Sequence, residues 1–154
     1  MKRFIACFAC VLMLVSLCAC GKTGGVKELS KLCGINLAWG DVVSSEDTHG
    51  FHGDGYGVVK LHYTDGSVSG ELAENEHWNK LPLSDELNSF VYQPSDWMPS
   101  VPEIENGYYW FYDRHSEAED PYDDTAFPGR SSVNFTLAIY DTDSNDLYLY
   151  EYDT

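Results

Sequence analysis

Asn134-Phe-Thr-Leu-Ala-Ile-Tyr-Asp141 and Leu147-Tyr-Leu-Tyr-Glu-Tyr152 are two runs rich in aliphatic, aromatic and β-branched residues, separated by the polar segment Thr142-Asp-Ser-Asn-Asp146. Strands favour such residues, and a short polar segment between two runs of this kind is typical of a β-hairpin. We therefore predict an antiparallel hairpin over residues 134–152.

The alternation within the two runs predicts which side chains share a face of this hairpin. Successive side chains of a strand point to opposite faces of the sheet. We expect the apolar residues of the first strand to pair with the leucines of the second, while the tyrosines line the other face. The first set is Phe135, Leu137 and Ile139 with Leu147 and Leu149, and the second is Tyr148, Tyr150 and Tyr152.

The rest of the chain supplies further strands and two helices. We predict strands at residues 41–49, 57–63, 67–72 and 108–113, and helices at 26–33 and after the capping residue Ser84. The strand at 67–72 is expected because Asp65-Gly66 is typical of a tight hairpin turn. Since strands outnumber helices, the fold class is α+β: an antiparallel sheet of five or six strands with one or two short helices packed on one face.

The first twenty residues predict export and lipid attachment. Lys2 and Arg3 precede an apolar run at residues 4–17, which as a helix covers roughly 21 Å and is too short for the roughly 30 Å hydrocarbon core. A signal peptide fits this length better than a membrane-spanning helix. The following Leu17-Cys-Ala-Cys20 resembles the lipobox of bacterial lipoproteins, which implies diacylglycerol attachment and cleavage at Cys20.

These features divide the chain into three parts. Residues 1–19 are the predicted signal peptide, residues 20–25 the lipidated cysteine with a flexible tether, and residues 26–154 a single α+β domain. The expected location is the extracytoplasmic face of the cell membrane, where more than one acyl chain holds a protein firmly. Without the signal peptide only Cys20 and Cys33 remain, so no internal disulfide is expected and Cys33 is predicted to be a buried thiol.

The charge excludes one large class of partners. The formal net charge is −16, with 25 acidic and 9 basic residues. Binding to nucleic acid needs clustered lysine and arginine, so nucleic acid is not an expected partner. Apart from the membrane, which the lipid anchor contacts, the expected ligand is a protein or a carbohydrate of the cell envelope.

The segment Asp47-Thr-His-Gly-Phe-His-Gly-Asp-Gly-Tyr-Gly57 concentrates residues that could carry chemistry. Asp47, His49, His52 and Asp54 could bind a ligand or transfer protons, and His49, His52 and Asp54 are weak candidates for metal ligands. Their spacing matches no zinc signature, such as His-Glu-x-x-His on a helix. We favour a glycine-rich turn between two strands, and expect neither a metal nor a cofactor.

Aromatic residues form the second candidate site. Tyr108, Trp110, Tyr148 and Tyr150 lie in predicted strands, and two short helices are too few to cover a whole sheet. Such residues could form an exposed surface for a sugar or a protein partner. They could equally belong to the core as cross-strand pairs.

Several segments are similar to those of small uncharacterised lipoproteins from Gram-positive gut anaerobes. These segments are residues 47–55, Trp78-Asn-Lys-Leu-Pro-Leu83, residues 106–115 and residues 134–141. The resemblance implies an anchored single domain and brings no activity with it. The sequence thus favours a non-enzymatic binding or interaction module. The alternative is a metal-dependent or acid/base hydrolase of the cell envelope that uses the loop at 47–57.

Overall fold

A six-stranded antiparallel sheet forms the centre of the structure, a computed structural model that describes residues 24–92 and 101–154. The strands are β1 (Asp41–Asp47), β2 (Gly55–His62), β3 (Trp78–Lys80), β4 (Gly107–Asp113), β5 (Phe135–Asp141) and β6 (Asp146–Asp153). Their order across the sheet is β1-β2-β6-β5-β4-β3. The predicted α+β class and strand number are confirmed. The predicted signal peptide and Cys20 lie outside the described residues.

Three helices accompany the sheet within the described residues, one more than the sequence predicts. They are α1 (Gly24–Cys33), α2 (Ser67–Glu74) and α3 (Asp85–Val91). Helix α1 takes up the end of the predicted tether and stops at Gly34, whose φ of 71° is favourable only for glycine. The Ser84 hydroxyl accepts a hydrogen bond from the Leu87 amide at 3.3 Å and so caps α3 as predicted. None of the helices in the described ranges has the length and apolar character needed to span a bilayer.

Helix α2 replaces a predicted strand, and the prediction for residues 67–72 is therefore wrong. The Asp65 carboxylate accepts a hydrogen bond from the Ser67 amide at 3.0 Å, which turns the chain into a helix rather than a hairpin. Val68 and Leu72, four residues apart, are both buried on the side of α2 that faces the core. Helical spacing of the apolar residues thus outweighs the turn signal of Asp65-Gly66.

The hairpin of β5 and β6 forms, but its pairing differs by one residue from the prediction. Phe135 pairs with Tyr152, Leu137 with Tyr150 and Ile139 with Tyr148, so these tyrosines share a face with the apolar residues of β5. Leu147 and Leu149 pair instead with Tyr140 and Ala138. The reason is that Asp146 pairs with Asp141 as part of β6, which shortens the turn to four residues.

Both faces of the sheet are covered apart from the exposed strand β1, whereas the sequence predicted helices on one face. Helices α1 and α2 cover one face, here called the α1/α2 face, whose buried residues include Leu61, Trp110, Tyr140, Leu147 and Leu149. Helix α3 and the loops on either side of β4 cover the other, here called the α3 face, with Phe111, Phe127, Phe135, Leu137 and Tyr150. The aromatic residues of β4 and β6 therefore divide between two cores.

Cys33 lies at the end of α1 inside the first of these cores. It is buried and is the one free cysteine among the described residues. Burial raises the pKa of the thiol above its usual value, which reduces the reactive thiolate fraction. The prediction of a core thiol is confirmed.

We predict that Leu29→Ala lowers the free energy of unfolding by about 2–5 kcal/mol. Leu29 is 1% exposed beneath α1, so truncation removes apolar contacts and leaves a cavity. The matched control is Leu32→Ala on the same helix, where the side chain is 40% exposed and a loss below about 1 kcal/mol is expected. Equal losses in urea unfolding would contradict this placement of α1.

Candidate functional site

The glycine-rich segment forms the connection between β1 and β2. The Thr48 amide donates to the Tyr56 carbonyl at 2.9 Å, and the Gly50 amide donates to the Asp54 carbonyl at 3.0 Å. A Cβ atom on Gly55 would lie 2.7 Å from Cα of His49, and Gly55 has a φ of 150°, so only glycine fits there. The segment is thus a hairpin loop, as predicted, and carries the fully exposed Phe51.

His49 is held by two carboxylates at the base of this loop. Its Nδ1 lies 2.7 Å from Oδ1 of Asp47, and its Nε2 lies 3.2 Å from Oδ2 of Asp153 on β6. The backbone amide of His49, followed by its ring, also lowers the pKa of Asp47 below the usual value. Both ring nitrogens of His49 are therefore in contact with carboxylates.

Arg114 extends this network from the far side of Asp153. Its Nη2 donates to Oδ2 of Asp153 at 3.0 Å and to the carbonyl oxygens of Phe135 and Tyr152 at 3.0 and 3.2 Å. The guanidinium therefore ties the ends of β5 and β6 to the loop after β4. Sequence reasoning missed Arg114 and Asp153, because no local spacing connects two positions that are 39 residues apart.

Glu151 lies on the neighbouring position of β6, against the start of α1. A Cβ atom on Gly25 would come within 2.9 Å of its Oε1, so the carboxylate fits only because residue 25 is glycine. Burial raises the pKa of Glu151, while Arg114 opposes that shift and Glu28 adds to it. The cavity between Glu151 and His49 has a volume of about 70 Å³, room for a few water molecules and far below the roughly 300 Å³ of small-molecule sites.

The structure separates the four polar candidates of this loop. Asp47 and His49 are in contact, whereas His52 and Asp54 line a different, open cleft together with Arg114. Within residues 24–92 and 101–154, no group of three or more histidine, cysteine or acidic side chains is arranged to hold a metal ion. The loop therefore presents a charge network that ties strand ends together.

The four aromatic candidates do not form one surface. Trp110 is buried on the α1/α2 face and Tyr150 on the α3 face. Tyr108 and Tyr148 are half-buried, and they too lie on opposite faces. The Tyr148 ring is 5.2 Å from the Lys60 ammonium, a cation–π contact within the sheet. These residues stabilise the two cores.

An apolar groove lies between α3 and the loop before β5, and no local pattern in the chain predicted it. Its volume is about 480 Å³, within the range of ligand sites. The groove is lined by Asp85, Glu86, Ser89, Phe90, Phe127, Pro128, Gly129 and Val133. Phe90 and Phe127 meet edge to face with ring centroids 5.8 Å apart. The groove, here called the α3 groove, thus combines an aromatic floor with two carboxylates and no basic side chain.

Comparison of the chain with protein-family models, with curated proteins and with solved structures found no match.

We predict that the two histidines of the loop respond differently to substitution. His49→Ala removes contacts to two carboxylates that then repel each other, so it should lower the free energy of unfolding by about 1–3 kcal/mol. His52→Ala, at an exposed position of the same loop, should change it by less than about 0.5 kcal/mol. Thermal unfolding at pH 7 measures both. Elemental analysis that finds about one Zn²⁺ per chain, lost in both variants, would contradict a purely structural role.

Proposed function

We propose that this chain is a lipoprotein held at the extracytoplasmic face of the cell membrane and acts there as a non-enzymatic binding module. The observation that carries the binding role is the α3 groove, which combines Phe90 and Phe127 with the carboxylates of Asp85 and Glu86. Its size suits a side chain or short segment of a partner. The anchor rests on the lipobox at Cys20.

The chemistry of the α3 groove favours a protein ligand over a carbohydrate. The apolar lining comes from Phe90, Phe127, Pro128 and Val133, which offer no hydrogen bonds to sugar hydroxyl groups. An apolar side chain gains free energy by leaving water at such a surface. Asp85 and Glu86 select a positive charge beside it. The proposed ligand is a protein segment in which lysine or arginine adjoins an aliphatic or aromatic residue.

The hydrolase alternative has weaker support. A general base needs a free acceptor atom within reach of the proton that it removes. Asp47 and Asp153 occupy both ring nitrogens of His49, and His52 lies on a separate cleft. The loop residues therefore contribute more to stability than to proton transfer in this arrangement.

We predict that Cys20→Ala abolishes lipid attachment. The full chain should partition into detergent, whereas the variant should remain unprocessed or be released as a soluble form, because one thiol carries the diacylglycerol. Mass spectrometry of the extracted protein measures the modification, and Cys18→Ala is the matched control, which should be lipidated normally. Diacylglycerol on the Cys20→Ala protein would contradict the assignment.

We predict that the α3 groove binds basic, apolar peptides and that its carboxylates contribute. Peptides containing Lys-Phe or Arg-Leu pairs should bind, and Asp85→Asn with Glu86→Gln should weaken binding by about fivefold per charge at low ionic strength. Isothermal titration calorimetry measures the affinity.

The matched control is Glu71→Gln with Glu74→Gln on α2, which removes the same charge from exposed positions outside the α3 groove. This control should bind as the unsubstituted chain does. An equal loss of affinity in both double variants would show that the effect comes from net charge alone and not from the groove. Absence of binding by every peptide would overturn the assignment of the groove.

A further inference from the structure

The two edges of the sheet differ in how well they are protected against pairing with a further strand. Edge strands present unpaired backbone groups, and proteins often shorten them or place proline nearby. At one edge, β3 has three residues and is followed by Pro82. At the other, β1 has seven residues, contains no proline, glycine or lysine, and all seven are exposed. Among the described strands, β2 is the one that pairs with β1.

The backbone of β1 offers hydrogen bonds on its outer side. The Thr48 amide donates to β2 through the Tyr56 carbonyl. Because inward and outward positions alternate in an antiparallel ladder, Glu46 and Ser44 also face β2, while Asp47 and Ser45 direct their amide and carbonyl groups outward. The β-bulge lies between Val42 and Ser44, so Ser44–Asp47 keep regular geometry.

The side chains of β1 differ between its two ends. Trp39, just before the strand, meets Tyr63 edge to face at 4.7 Å, and Val42 pairs with Leu61 on that same α1/α2 face. Both are more than two-fifths exposed, as is Val43. The other end carries Glu46 and Asp47. A strand added along β1 would contact apolar groups beside Asp41 at one end and the two adjacent carboxylates at the other.

A second copy of this chain is a poor occupant of that edge. Antiparallel pairing of two β1 strands would bring Asp41 of each close to Asp47 of the other, and like charges on opposed positions are destabilising. Two chains with a net charge of −16 also repel each other. Charge complementarity favours a positively charged strand instead.

We propose that β1 is a docking strand for an extended, basic segment of a partner protein, which adds a seventh strand to the sheet. The outward backbone groups of Ser45 and Asp47 provide the hydrogen bonds to the added strand. The carboxylates of Glu46 and Asp47 attract its lysine or arginine side chains. Trp39 and Val42 contact an apolar residue of the same segment. None of these residues lines the α3 groove, so binding at β1 does not depend on binding at that groove.

Ser45→Pro tests the proposal directly. Proline removes the outward amide and blocks an added strand, yet leaves the hydrogen bonds of β1 to β2 in place, because the amide that is lost faces away from β2. The probes are heptapeptides in which lysine alternates with valine, threonine or tyrosine, with glutamate versions as controls. Hydrogen-exchange mass spectrometry on the full chain in detergent follows residues 41–47.

The lysine peptides should slow exchange over residues 41–47, with an affinity that falls as salt rises. Ser45→Pro should weaken binding at least roughly tenfold, and Ser45→Ala should not. Val43→Lys, at an exposed position, is a second variant. It should weaken binding of the lysine peptides by charge repulsion, and it does not alter the backbone of β1. The Asp85→Asn, Glu86→Gln variant should keep this protection, which separates the edge from the α3 groove.

Three results would overturn the proposal. The first is unchanged binding by Ser45→Pro and Val43→Lys. The second is a failure of the lysine peptides, at millimolar concentration, to slow exchange over residues 41–47 more than the glutamate peptides do. The third is a dimer in analytical ultracentrifugation that Ser45→Pro dissociates, which would assign the edge to a second copy.

Discussion

The four-residue turn between β5 and β6 fixes the arrangement of the whole sheet. Asn145 adopts a φ of 58°, its side chain accepts a hydrogen bond from the Tyr140 hydroxyl at 3.0 Å, and its carbonyl accepts one from the Tyr63 amide at 2.9 Å. Asp146 is the first residue of β6. Its Oδ2 lies 2.7 Å from Nζ of Lys60, and its Oδ1 lies 2.8 Å from Nδ1 of His62. Burial raises the pKa of Asp146, but the hydrogen bonds from Lys60 and His62 outweigh it and lower the pKa.

This pairing decides which surfaces remain for binding. The tyrosines of β6 join Phe135 and Leu137 under α3, and the leucines of β6 join Trp110 under α1 and α2. The aromatic residues of the sheet lie in the two cores, so we place the proposed partners at the periphery. The α3 groove and the β1 edge are both peripheral, and both combine exposed apolar groups with carboxylates. The strongly acidic composition suits basic partners at both the α3 groove and the β1 edge.

Local patterns predicted most of the fold and part of the site. Alternation located five strands, and the capping serine and Gly34 located two helix ends, because these signals act over a few residues. The prediction of which face each β6 side chain occupies was wrong, because a change of one residue in the turn length moves every side chain of the strand to the opposite face. The contact of Asp47 with His49 is local, but that of His49 with Asp153 joins positions 104 residues apart. The α3 groove likewise needs Phe90 and Phe127 from separate segments.

The most direct test of this account is the pairing of β5 with β6, measured by nuclear Overhauser effects in isotope-labelled protein. We expect contacts from the Phe135 ring to the rings of Tyr150 and Tyr152, whose centroids lie 5.8 Å away, and from the Tyr140 ring to the methyl groups of Leu147. Contacts from the methyl groups of Ile139 to those of Leu149 would contradict this pairing, because a five-residue turn that joins Asp141 to Leu147 places these two residues opposite each other. They would return the tyrosines of β6 to a separate face and make them available to a ligand.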